Sequence, residues 1–84
     1  MPNDDKKAFE YAYIIAHYSE KTCAYQYRLG HMYMDGIGTE KDPEKALKWY
    51  RKALDNHLCQ EEYRVKAEQD ISEINRLNHI TKDN

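Results

Sequence analysis

Four histidines (His17, His31, His57, His79) and two cysteines (Cys23, Cys59) are the side chains that could hold a metal ion. A compact zinc site draws its ligands from close pairs such as C-x-x-C or H-x-x-x-H, which present two donors to one ion. No pair here has either spacing, so no metal is expected and each cysteine reads as a small buried apolar side chain. The adjacent acids Asp4-Asp5 and Glu61-Glu62 could act as paired carboxylates, but both stand where helices begin, and negative charge there complements the helix dipole. No Ser-His-Asp order, phosphate-binding glycine loop or nucleophile elbow is present. Gly36-x-Gly38 lacks the third glycine and the preceding strand that dinucleotide binding requires. The expectation is a protein that is not an enzyme and carries no cofactor.

Eight tyrosines turn attention from catalysis to contact, because a phenol ring gives a rigid apolar body with a polar tip. Tyr11, Tyr33 and Tyr50 are expected to pack in the core with Trp49, and Tyr13 and Tyr27 are the better interface candidates. Thirteen basic side chains against fifteen acidic ones give a formal charge of -2, without the basic excess that attracts nucleic acid. The longest apolar run, Tyr11 to Ala16, is about a third of the roughly 20 residues a membrane span needs, and Asn3-Asp4-Asp5 does not open a signal peptide. With no secretory signal, two cysteines imply reduced thiols and a cytoplasmic location. Neither a nucleic-acid nor a membrane partner is expected.

The elements that must position these side chains are helical. Ala8, Tyr11, Ala12, Ile15 and Tyr18 recur at steps of three and four, predicting a helix over residues 4–18 capped by Asp4 or Asp5. Phe9, Tyr13 and Ile14 make that helix apolar on its other side too, so it needs cover on two faces. Thr22 is the expected N-cap of a second helix from Cys23 to about Asp35, packed through Tyr25, Leu29, Met32 and Tyr33 and ended by Gly36. Gly30 inside it costs about 1 kcal/mol relative to alanine and marks a close helix approach. After the loop, Asp42-Pro43 supplies an N-cap and a proline at the first helical position. The third helix carries Ala46, Leu47, Trp49, Tyr50, Ala53 and Leu54. A fourth, residues 60–78, carries Tyr63, Ala67, Ile71, Ile74 and Leu77, and residues 79–84 are expected to fray.

The order Asp, Lys, Ala, apolar, aromatic in Asp4–Tyr11 returns 38 residues later in Asp42–Trp49, and the same shift carries Tyr25 onto Tyr63. Leu29-Gly30-x-Met32-Tyr33-x-x-Gly36-x-Gly38, followed by Asp42-x-x-Lys45-Ala46-x-x-Trp49-Tyr50-x-Lys52-Ala53, resembles a Sel-1-like repeat, a relative of the tetratricopeptide repeat with a longer hairpin loop. Gly36 and Gly38 would permit positive φ in that loop, and Ala46 and Ala53 would be small contact points. Residues 23–57 form one full unit, the first helix resembles the second half of a preceding unit, and the last resembles the first half of a following one. Departures are Tyr27 before the Leu-Gly pair, Leu54 and His57 after the second helix of the unit, and Ala67-Glu68 where the last helix would carry Leu-Gly. That last helix therefore reads as a polar cap.

The resemblance implies an all-α chain of antiparallel hairpins stacked as a short α/α solenoid of about four helices, forming a single domain over residues 1–84. It also implies an adaptor that holds a protein partner on a concave groove. Tyr27, His31 and Met34 of the second helix, with Val65, Gln69 and Ser72 of the fourth, are the groove residues so implied. Two alternatives stand beside it. One is a homodimer or scaffold in which a second copy covers the first helix. The other is a small bacterial inhibitor or immunity-type protein that covers one effector.

Overall fold

The computed structural model describes residues 2–18 and 23–82. Four helices follow one another: α1 (Pro2–Tyr18), α2 (Cys23–Asp35), α3 (Pro43–Asp55) and α4 (Glu61–Lys82), with no strand among the described residues. The chain is all-α. α2 packs on α1, α3 and α4, and α3 also packs on α4, in a slab of 38 × 34 × 17 Å.

The central hairpin is set by local chemistry at both ends of its loop. Gly36 takes φ +71° after the last turn of α2, and the Ile37 amide donates back to the Met32 carbonyl at 2.9 Å, a Schellman closure that satisfies an otherwise orphaned acceptor. The Asp42 amide then donates to the Tyr33 carbonyl at 2.8 Å, while the Asp42 carboxylate accepts from the Lys45 amide at 3.1 Å and starts α3 ahead of Pro43. Gly38, at φ +72°, lies against α1, where an added Cβ would run into the Asp5 carbonyl. The loop thus joins the hairpin to α1 as well as closing it.

At Gly30 the backbone of α2 meets α3: a Cβ there would stand 2.8 Å from Tyr50 Cδ1 and Cε1 and 3.2 Å from the Ala46 carbonyl oxygen. The ring of Tyr50 occupies the volume a side chain would have filled. Leu29, Tyr50 and Ile74 are the largest fully buried side chains, with Ala46, Ala53 and Ala67 as small contacts between them. Gln26 is the buried polar residue, and its carbonyl accepts from Asn56 Nδ2 at 3.1 Å. Asn56 in turn accepts from the Leu58 amide at 3.0 Å, so one side chain ties α2 to the turn that leads into α4.

Several sequence expectations are corrected. α1 starts at Pro2, which puts Asp4 and Asp5 inside its first turn rather than at its cap; Thr22 lies outside the described residues. The buried face of α1 runs through Ala12 and Ala16 with Phe9 packed beside them, whereas Tyr11 (60% exposed) and Tyr18 (86%) face outward. Trp49, the residue 38 positions after Tyr11, is covered from α1 by His17, with ring centroids 5.2 Å apart. α4 continues to Lys82 because no glycine or proline interrupts residues 78–82, and residues 83–84 lie outside the described segment. Leu77 stays exposed at the end of a stripe whose last buried member is Ile74.

Candidate protein-binding site

A cleft of about 520 Å³ opens between α2 and α4, lined by Tyr25, Tyr27, Arg28 and His31 from the first and by Tyr63 and Lys66 from the second. Its aromatic wall is continuous: the Tyr27 ring lies 5.4 Å from that of Tyr50 and 6.1 Å from that of Tyr63. Tyr25 is extended toward α1 by an edge-on contact with Tyr11 at 5.9 Å. Edge and tilted contacts of this kind hold the rings in fixed orientations.

Electrostatics fix the floor. The Tyr27 hydroxyl donates to Asp70 Oδ2 at 2.9 Å, joining α2 to α4. Burial first, then that hydrogen bond and the charges of Asp70 and Asp35, push the Tyr27 phenol up to about 12. Tyr50 lies beneath it. Burial and then the Asp70 carboxylate raise its ionisation well above the ordinary phenol range, yet its buried hydroxyl has no hydrogen bond of good geometry. Tyr33 is also raised, by burial and then by Tyr13 and Asp42. At the rim His31 Nε2 stands 3.1 Å from Asp35, and Lys66 Nζ stands 3.3 Å from Glu62 and over the Tyr63 ring. Phenols held protonated beside the exposed Lys66 ammonium suit recognition, and none of these groups pairs a nucleophile with its base.

Of the six residues expected in the groove, the structure brings Tyr27 and His31 to the cleft. Met34 packs against the core beside them. Val65, Gln69 and Ser72 line a separate shallow depression on α4 alone, with Glu68, Glu73 and Arg76. The reason is the repeat itself. Tyr27 lies on the face of α2 turned toward α4, so Val65, its equivalent 38 residues on, lies on the face of α4 turned away from α2. Tyr25, Arg28, Tyr63 and Lys66 are the cleft residues that the motif reading missed. The shift that maps Tyr25 onto Tyr63 also maps Arg28 onto Lys66, and that pairing was the available signal.

Cys23 at the start of α2 and Cys59 just before α4 are joined in a disulfide with Cα atoms 5.1 Å apart, which corrects the expectation of two reduced thiols. Cys23 and Cys59 stand at similar places ahead of successive first helices, two residues off the 38-residue shift, and their adjacency permits the bond. No helix of the described residues is long and apolar enough to cross a membrane, and no group of three or more potential metal ligands lies together among them.

Stacked helical hairpins with a cleft between successive first helices define the class of α/α repeat proteins. The Sel1 repeat profile matches residues 1–16 and 24–57, and the chain belongs to the Sel1 repeat family. Sel1 repeats generally mediate protein–protein interaction and are typically non-catalytic. No curated protein and no solved structure matches the chain.

Proposed function

We propose that this chain is a non-catalytic adaptor that holds a protein partner in the cleft between α2 and α4. The observation that carries this reading is the half-buried tyrosine wall of Tyr25, Tyr27 and Tyr63 along that cleft. Half-buried tyrosines flanked by a charged rim are the side chains from which interface hot spots are drawn. A photo-crosslinking residue at His31 is expected to capture a defined partner from extracts of the source cell, and the same residue at Arg51, on the exposed side of α3, is not. Equal labelling from both positions, or none from His31, would sink the proposal.

Self-association is supported by a different surface. Tyr11, Ile14 and Tyr18 recur at helical spacing on the outer face of α1 and are 60%, 54% and 86% exposed, a strip that a second copy would cover. Sedimentation over a hundredfold range of protein concentration, about the span needed to cross a micromolar Kd, is expected to show a dimer that Ile14→Lys abolishes. A concentration-independent monomer removes this reading and leaves the cleft proposal standing.

A further inference from the structure

The cleft has a repeated chemical pattern beyond its aromatic wall. Tyr25-x-x-Arg28 on α2 recurs as Tyr63-x-x-Lys66 on α4, and both aromatic–cation pairs line the cleft. A helical step of three places tyrosine and cation on one face of each helix, so the two pairs stand side by side across the groove. The lining contains no acidic residue, although the chain as a whole is formally -2.

The neighbouring acids are already engaged. Asp70 accepts from Tyr27, Glu62 pairs with Lys66, and Asp35 pairs with His31. The last two are exposed contacts within one helix, and the Lys66–Glu62 pair is worth only about 0.3–0.5 kcal/mol, so an incoming carboxylate can displace it at little cost. Arg28 is exposed and has no hydrogen bond or ion pair among the described residues. An unpaired guanidinium beside a phenol ring is matched by a carboxylate, which it can grip with two parallel hydrogen bonds.

Resting on the proposed reading of the cleft as a protein-binding groove, we infer that its occupant is an acidic peptide segment. Carboxylates of that segment meet Arg28 and Lys66, and its apolar side chains lie on Tyr25, Tyr27 and Tyr63. Two cations from successive repeats grip two acidic positions of an extended chain, so the groove reads charge spacing rather than a single anion. A nucleic-acid strand fits less well, because the net negative chain opposes its approach.

The test is fluorescence anisotropy with the full chain, disulfide intact, and a labelled capped peptide of repeated Glu-Glu-Leu. Counterpart peptides carry Gln or Lys in place of Glu, and a thymidine oligonucleotide serves as a fourth probe. The Glu peptide is expected to bind and to weaken with added salt. Arg28→Glu and Lys66→Glu are each expected to lower its affinity about tenfold or more, the equivalent of about 1.4 kcal/mol. Arg51→Glu, the same charge change on α3 outside the cleft, is expected to leave it unchanged. Both cleft cations are exposed, and helicity by circular dichroism verifies that each variant is folded; Arg28→Gln supplies the neutral version. Equal loss in Arg51→Glu, equal binding of the Gln peptide, or preference for the oligonucleotide would overturn the acidic-segment assignment. Tight binding of the Gln peptide that Tyr27→Ala abolishes would overturn it while upholding the groove. Failure of all four probes would overturn the assignment, and a concurrent failure of crosslinking from His31 would sink the groove reading with it.

Discussion

The Cys23–Cys59 cross-link closes a loop of 36 residues, and its removal is the perturbation whose size follows most directly from the structure. Tying two points of the chain together lowers the entropy of the unfolded state. The loop-closure relation gives about 13 cal/mol/K for a loop of this length, or about 3.8 kcal/mol at 25 °C. An 84-residue domain has about 4–12 kcal/mol of stability in total, so this bond is a major share of it. With an unfolding entropy of about 2.1 cal/mol/K per residue, the same figure corresponds to a fall in Tm of about 20 °C. Two perturbations should agree: reduction of the native protein, and the double variant Cys23→Ala/Cys59→Ala. Cys23 is buried, so the double variant carries a small extra cost from the lost sulfur. The assay is thermal and urea unfolding followed by circular dichroism, with thiol titration of the untreated folded protein. Oxidised and reduced protein that unfold at the same temperature would refute the entropy argument, and two titratable thiols in the untreated protein would refute the cross-link itself.

Gly30→Ala is expected to destabilise the protein by about 1 kcal/mol net, because crowding of Tyr50 and the Ala46 carbonyl costs about 1–3 kcal/mol against a helix-propensity gain of about 1; a more stable variant in urea unfolding would show that the ring yields. Tyr50→Phe removes a buried hydroxyl that lacks a good partner, so stability is expected to stay level or rise by up to about 1 kcal/mol, and a marked loss would mean that Asp70 already satisfies it. The folded state holds the Tyr27 proton more tightly than the unfolded chain, about 12 against about 10, and Tyr33 and Tyr50 shift in the same direction. The stability they contribute is therefore complete below about pH 10 and declines as pH rises from there through about 12, as a Tm series with phenolate absorbance will report. Asp70→Asn removes a charge that raises Tyr27 and Tyr50 and is expected to move their phenolate titration to lower pH; an unmoved titration would contradict the Tyr27–Asp70 contact.

The helical hairpin was legible because its signals act within a few residues. Asp42-Pro43 starts a helix through one side-chain acceptor and one fixed φ, and Gly36 ends another by taking a positive φ; neither depends on a distant neighbour. Gly30 was legible as a close approach, although the ring that fills its space, Tyr50, belongs to the facing helix. The repeat motif likewise fixed the family and the α/α architecture.

Faces were harder to assign than elements. α1 is apolar around most of its circumference, so periodicity alone could not tell the Ala12–Ala16 face from the Tyr11–Tyr18 face; packing against α2 and the Gly38 loop selected the former. The site divided in the same way. By itself the sequence determined the four helices and, in the central hairpin, the Gly36 stop and the Asp42-Pro43 start, because those follow from local backbone chemistry and hydrophobic spacing. Only the tertiary structure decided that α4 lies across Tyr27 while Val65 faces away, that Tyr25, Arg28, Tyr63 and Lys66 share one cleft, and that Cys23 meets Cys59. Those are relations between helices, set by how one unit stacks on the next, and no property of a single helix encodes them.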